Sequence, residues 1–407
     1  MSSRARRGIA ATVVAVLALA TGCGGGGEDA GPRWHADYVS TSCGAVLTRV
    51  LPVSSDEGWA VGQEPAGCAR TSGRDGTAQG VVLHRHGDTW RRATLPSPLL
   101  SPYHGAQLAG AALAASGPDD VWLFGRLGSG DTATQGMPAA ARWDGRRWTR
   151  ITTDFDVAQA VVFAPDDVWA LCSNETTQPV RHWDGRRWTA ASLPVDVFGA
   201  MAGTGPDDLW VVGSDQNPGG AGHHPAIAHF DGTGWTAVPT PTYRNVRPAP
   251  DDRARLTAVV PVSATDAWAF GVHVDEDTGG GSPGQTVLAL HWDGTRWRQA
   301  PKALTAGMTR TPPDTGLSAT TDGAGGFVLA TLYGAAEHRT AAGVRRTIGR
   351  PAPVAGRSGK TPDRQRLQVY DLARVPGTRE VWAAGAVGLT LHGGDDFARA
   401  TILSYPG

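Results

Sequence analysis

Fourteen of the fifteen tryptophans in this 407-residue chain fall on one repeating pattern. The pattern is a turn, a Val-Trp pair, a short apolar run, a variable loop, and then His-Trp-Asp-Gly-x-x-Trp. The clearest copies read GPDDVWLFG…RWDGRRWT, APDDVWALC…HWDGRRWT, GPDDLWVVG…HFDGTGWT and SATDAWAFG…HWDGTRWR. A unit recurring every 40 to 60 residues or so implies an array of like modules rather than one continuous layered domain.

Each module divides into four short strands. The first is small and apolar, at 108–115, 157–163, 198–203 and 256–262. A tight turn built on Asp119-Asp120, Asp166-Asp167, Asp207-Asp208 or Thr265-Asp266 follows, with the Pro and Asp that such turns favour. The second strand carries Trp59, Trp122, Trp169, Trp210, Trp268 and Trp382, with Phe327 as a weak copy. The third ends at Trp-Asp-Gly, whose Asp-Gly pair closes a hairpin onto the fourth. The fourth carries Trp90, Trp148, Trp188, Trp235 and Trp297. Counting second strands gives seven units. Four-stranded units in radial array bury both faces of each sheet, which accounts for near-continuous apolar strands. The expected fold class is therefore all-β, a seven-bladed β-propeller of four-stranded antiparallel blades. Blade 6, at about 304–364, is degenerate. Residues 34–40, around Trp34, are placed to add a strand to the last blade, whose own fourth strand is read as 397–403.

Over roughly residues 45 to 403 the modules resemble bacterial extracytoplasmic β-propeller repeats of the Asp-box and kelch-like kind. Asp144-Gly145-Arg146-Arg147-Trp148 matches an Asp-box in place and type, one residue shorter between Asp and Trp. A kelch double glycine and the Gly-His of WD40 repeats are both missing. The resemblance implies an exported, envelope-associated propeller.

The first residues read as an address. Arg4, Arg6 and Arg7 precede an apolar run at 9–20, too short to span a bilayer, and Leu19-Ala20-Thr21-Gly22-Cys23 follows. The cysteine after small residues resembles a bacterial lipobox, so the expected domains are a signal peptide (1–22), a Gly-rich tether from lipidated Cys23 (23–33), and the propeller (34–407). The expected location is the outer face of the cytoplasmic membrane. An exported protein can oxidise its thiols. Symmetry about the Ser54-Ser55-Asp56-Glu57 turn places Cys43 opposite Cys68, an expected disulfide. Cys172 replaces a strand-ending Gly and reads as a buried thiol. With a net charge of −1, no global field draws the protein to nucleic acid, and a monomer is expected.

Variable loops on a rigid ring are where binding residues concentrate. Here the two-to-three and four-to-one loops vary most, and the face they share is the expected binding face. Tyr103, His104, Tyr243, Arg244 and Arg247 offer stacking and charge for a glycan or peptide. His223-His224 could contribute to a metal site, and His273, Asp275, Glu276 and Asp277 could hold Ca²⁺, although the spacing follows no calcium-loop motif and a solvated acidic loop is the simpler reading. Arg345, Arg346 and Arg350 read as solvated side chains before they read as an anion-binding patch. His84, His182, His229 and His291 recur once per blade. Radial symmetry scatters them around the ring, so they read as repeated hydrogen-bonding groups. The first strands are apolar apart from Arg49, Tyr370, Asp371 and Arg374, and no catalytic motif is present. The expected role is non-catalytic recognition of an envelope protein or glycan. The alternatives are a carbohydrate-active hydrolase or lyase on the same fold, and an assembly scaffold for exported proteins.

Overall fold

The computed structural model describes residues 31–64, 79–94, 106–127, 137–173, 179–196, 199–216, 223–241, 253–274, 285–311, 316–353, 365–389 and 397–407. The segment from Pro32 to Gly407 is one compact unit. It is a seven-bladed propeller of antiparallel four-stranded blades. Blade 1 is β2 (Val46–Pro52), β3 (Glu57–Glu64), β4 (Gln79–His86) and β5 (Thr89–Arg92). Blade 2 is β6 (Ala106–Gly117), β7 (Asp120–Leu127), β8 (Met137–Trp143) and β9 (Trp148–Ile151). Blade 3 is β10 (Val157–Ala164), β11 (Asp167–Cys172), β12 (Val180–Trp183) and β13 (Trp188–Ala191). Blade 4 is β14 (Ala200–Gly205), β15 (Asp208–Gln216), β16 (His223–Phe230) and β17 (Trp235–Ala237). Blade 5 is β18 (Arg253–Ser263), β19 (Asp266–Val274), β20 (Gln285–Trp292) and β21 (Trp297–Gln299), with β22 (Arg310–Thr311) added beside β20. Blade 6 is β23 (Leu317–Thr321), β24 (Phe327–Thr331), β25 (Ala336–Arg339) and β26 (Arg345–Thr347).

Blade 7 is built from both ends of the fold. Its order is β27 (Gln365–Arg374), β28 (Val381–Leu389), β29 (Phe397–Tyr405) and β1 (His35–Val39). The segment 397–403 is therefore the third strand, not the fourth, and the N-terminal strand supplies the fourth. The reason is the register. Trp382 lies opposite Ser404, as Trp122 lies opposite Arg142 and Trp169 opposite His182 in third strands elsewhere.

The tryptophans join neighbouring blades. Trp59 of blade 1 packs against Trp143 and Trp148 of blade 2, with centroids 5.4 and 5.2 Å away. Trp122 repeats this with Trp183 and Trp188, Trp169 with Phe230 and Trp235, and Trp210 with Trp292 and Trp297. Trp382 closes the circle on Trp90 of blade 1. Offset and edge-on aromatic pairs of this kind add to what burial alone contributes.

Blade 6 departs in one respect from expectation. The position opposite the third-strand histidine, His338, is Val328, so Val328 and not Phe327 occupies the tryptophan slot. One residue along a strand reverses the face. Phe327 accordingly points back to blade 5, against Trp268 and Phe270 at 5.1 and 4.7 Å, while Val328 packs in the cluster that holds Trp34 and Tyr405.

In blades 2 to 5 the two short turns interlock. Gly145, Gly185, Gly232 and Gly294 all take φ near +85 to +88°, and the preceding Asp accepts two backbone N–H groups, as Asp144 does from Arg146 and Arg147. These turn carboxyls titrate low, chiefly through the backbone N–H groups at Asp144 and Asp184 and through the hydroxyls of Thr233 and Thr295 at Asp231 and Asp293. Asp231, bonded to Thr233 and Gly234, is held down to about 2. A Cβ on Gly145 would run into the Asp119 carboxylate of the other turn, and on Gly232 it would stand 3.0 Å from Asp207 Cβ.

Candidate functional site

The axis is lined by the first strands, and several of their polar side chains cross to the next blade. Asp371 Oδ2 accepts the N–H of Val50 at 3.0 Å, joining blade 7 to blade 1. Thr48 Oγ1 donates to the Leu108 carbonyl, Gln159 Oε1 accepts from Met201 N, and Ser318 Oγ accepts from Leu372 N. Bulges at Thr48, Ala158 and Tyr370 reset the register just before Arg49, Gln159 and Asp371 and help aim these groups. Burial pushes the Asp371 carboxyl up, and the Arg49 guanidinium and the N–H groups of Val50 and Leu372 pull against it. Tyr370, half-buried beside it, is also raised by burial.

The repeated histidines have the hydrogen-bonding role expected of them. His182 Nε2 lies 2.8 Å from Asp167 Oδ1, His229 2.8 Å from Asp208 Oδ1, His291 2.9 Å from Asp266 Oδ1 and His84 3.2 Å from Glu57 Oε1. The same acid takes the tryptophan N–H where geometry allows, as Asp208 does from Trp210 at 3.0 Å. The hydrogen bond from His229 leads the factors that hold the Asp208 carboxyl below its ordinary range. In blade 6 the pair is extended. Asp322 Oδ2 meets His338 Nε2 at 3.0 Å, and His338 Nδ1 meets the Tyr405 hydroxyl at 3.0 Å, all three buried.

On the long-loop face, a small cleft opens between blades 7 and 1. Tyr38, Ser40, Gln63, Glu64 and Arg92 are among the residues that line it. Glu64 and Arg92 form an ion pair there. Little in the sequence announces this pair, because the two residues sit at the ends of different strands, β3 and β5.

The candidate residues are placed unevenly. His223 and His224 are not in a loop. They open β16, opposite Gln216 and Asp215. His273 is buried within β19, opposite Ala254 and Thr286. Among the described residues, no group of three or more His, Cys, Asp or Glu is placed to hold a metal ion. Tyr103, His104, Tyr243, Arg244, Arg247, Asp275, Glu276 and Asp277 lie outside the described residues, as do Cys23 and Cys68. Cys172 is a buried thiol in blade 3. The β2–β3 register differs from the symmetric one by a residue: Leu51 lies opposite Trp59, and the bulge at Thr48 then shifts Leu47 to Gly62. The cause is a turn in which the N–H groups of both Val53 and Ser54 bond to the Glu57 carbonyl. Cys43 lies in the turn before β2, and its expected partner Cys68 lies outside the described residues.

No protein-family model matches the chain, and no curated protein matches it. Solved structures similar to it include the β-propeller domain of the trilobed protease from Pyrococcus furiosus, described as having an open velcro topology. That match has a TM-score of 0.48 and 9% identity, and covers 86% of this chain and 94% of that one. YCF48 from Cyanidioschyzon merolae matches with a TM-score of 0.47 and 13% identity, over 92% and 98% of the two chains. An α-L-arabinofuranosidase from Fusarium graminearum, in complex with an iminosugar inhibitor, matches with a TM-score of 0.43 and 13% identity, over 75% and 94%. Each is a likeness of architecture.

Proposed function

We propose that this chain is an exported, lipid-anchored surface protein whose propeller recognises an envelope protein or glycan. The observation that carries this reading is the contrast between the two faces of the ring. On one, the paired turns lock against each other and their carboxylates are taken up by backbone N–H groups. On the other, loops of very different length project from a frame whose axial polar groups already bond the blades together. A rigid ring with one variable face suits recognition. Lipidation at Cys23 would hold it at the outer leaflet, so Cys23→Ala is expected to release it from membranes. Recognition is tested by binding the Cys23→Ala protein to envelope fractions with and without protease treatment. Capture abolished by protease points to a protein partner, and capture that survives points to a glycan. No capture in either case overturns the reading.

A second reading, a carbohydrate-active hydrolase or lyase, is favoured by one feature. Asp371 is an axial carboxyl raised by burial and set near Arg49, the kind of environment in which acid catalysts are found. Turnover of envelope polysaccharide that is lost in Asp371→Asn, with the fold intact, would establish it. No turnover by the parent protein would dismiss it.

A further inference from the structure

The three-to-four hairpin of blade 6 differs chemically from its counterparts. In blades 2 to 5 this turn opens with Asp144, Asp184, Asp231 or Asp293, which binds the turn backbone. Arg147 and Arg187 in these turns each lie within 3.6 Å of that carboxylate. In blade 6 the turn is Ala341-Ala342-Gly343-Val344, all exposed, with Val344 49% exposed. It is held instead by Thr340, whose Oγ1 accepts the Val344 N–H at 3.2 Å and whose carbonyl accepts the Gly343 N–H at 2.8 Å. An apolar tip has thus replaced an acidic one.

Basic residues flank this tip and line the strand that leaves it. Arg345 and Arg346 follow it directly, both exposed. Arg345 Nη1 bonds to the carbonyls of Lys302 and Leu304, which brings exposed Lys302 alongside. Arg350, also exposed, follows on the same edge. Among the described residues none of these four has a carboxylate at ion-pair distance, unlike Arg142, Arg147, Arg187 and Arg298 elsewhere on the ring. The chain also joins the fold here. Trp34 N donates to Gly349 O at 3.0 Å and Gly349 N to Pro32 O at 2.7 Å, which puts exposed Arg33 on the same edge.

We propose that this edge of blade 6, with the 341–344 turn at one end and Arg33, Lys302, Arg345, Arg346 and Arg350 along it, rests on the anionic phospholipid headgroups of the membrane. The proposal builds on the lipid-anchor reading. Pro32 follows Cys23 by nine positions, a reach of at most about 30 Å, so an anchored Cys23 keeps this edge near the bilayer. Basic side chains near an anionic surface each strengthen attachment, and small apolar groups at such a tip enter the interfacial layer. The protein's net charge of −1 leaves local charge, not the whole molecule, to supply the attraction.

The test uses the full-length protein with Cys23→Ala, floated with vesicles of phosphatidylcholine alone or mixed with phosphatidylglycerol. Because this background lacks the lipid, the flotation reads the edge, while release of Cys23→Ala from cells reads the anchor separately. Arg346→Gln/Arg350→Gln is expected to lower binding to the anionic vesicles by about tenfold or more and to leave binding to neutral vesicles unchanged. Val344→Ser, at an exposed turn, should lower it without any change of charge. Arg147→Gln/Arg187→Gln, at the same hairpin in blades 2 and 3, should have no effect. Thermal melting of each variant checks that the ring is intact. Unchanged binding by the blade-6 variants, or an equal loss in the blade 2 and 3 variant, overturns the proposal. So does binding to soluble anionic polymer with none to vesicles.

Discussion

Trp34 lies edge-on to Tyr405, with 5.9 Å between ring centroids. The pair repeats in blade 7 the relation of Trp148 to Trp143 in blade 2. The equivalence extends through the turn. Gly407 has φ +89°, beside +86° at Gly145, and a Cβ on it would stand 2.6 Å from the Arg379 carbonyl, just as Gly145 abuts Asp119. The fifteenth tryptophan therefore obeys the same pattern as the other fourteen, split between Tyr405-Pro406-Gly407 and Trp34. Trp34 is fully buried among Val328, Ala336, Ile348, Val381 and Leu403, so it joins blade 6 to blade 7. Trp34→Ala is expected to destabilise the ring by about 3–5 kcal/mol, the usual cost of truncating a large buried aromatic. Denaturant unfolding monitored by circular dichroism checks this. A midpoint equal to the parent's would mean that the closing strand contributes little.

The interlocked turns make a sharper comparison. Gly87 and Gly145 both have positive φ, +60° and +86°, but a Cβ on Gly87 meets nothing within 4 Å. Gly87→Ala should therefore cost only the conformational penalty, about 1 kcal/mol. Gly145→Ala should cost more, about 2–3 kcal/mol, because the Asp119 turn must also move. Equal melting temperatures for the two variants would show that the turns do not brace each other.

The architecture was legible because its signals are local: Asp-Gly turns, Val-Trp pairs and small first strands each lie within a few residues of one another. What was not legible depends on register between distant segments. Assigning 397–403 to the fourth strand follows from counting along the chain, and the correction needs Trp382 placed opposite Ser404. Phe327 looked like the missing aromatic because sequence cannot fix a strand's face to one residue without its partner. Asp371 stood out as a lone acid on an apolar strand, but its partner, the Val50 N–H, lies in the first blade. On the expected binding face, most of the sequence-derived candidates are loop residues that lie outside the described segments.

The proposed Cys43–Cys68 disulfide would tie the turn before β2 to the loop after β3, next to the seam where blade 7 closes on blade 1. Ser40 N bonds to Ala400 O and Gly44 N to Ala398 O at that seam. A bond there would contribute about 2–4 kcal/mol, chiefly by restricting the unfolded chain. The oxidised protein should melt higher than the reduced one, and Cys43→Ser/Cys68→Ser should remove the difference. Mass mapping without reductant that recovers both peptides unlinked would rule the bond out.

Asp371 and Asp208 should respond to pH in opposite directions. The Asp208 carboxyl is held low by His229 above all, so its stabilisation is present above the ordinary value of 3.8 and is lost as pH falls through its folded value. Asp371 is raised by burial, so its contribution is fully present below 3.8 and is lost as pH rises through its folded value. Asp371→Asn keeps an oxygen for the Val50 N–H and carries no charge to desolvate. It should equal or exceed the parent in stability at neutral pH and lose that advantage in acid. Asp371→Ala leaves the Val50 N–H unpartnered, at a cost of about 1–3 kcal/mol, and should be less stable at both. Asp208→Asn should be less stable than the parent at neutral pH, and the gap should narrow in acid. Melting temperatures of the four proteins across the acid range separate the two carboxyls. If Asp371→Asn were clearly destabilised at neutral pH, the ionised form with Arg49 would be the one the ring requires.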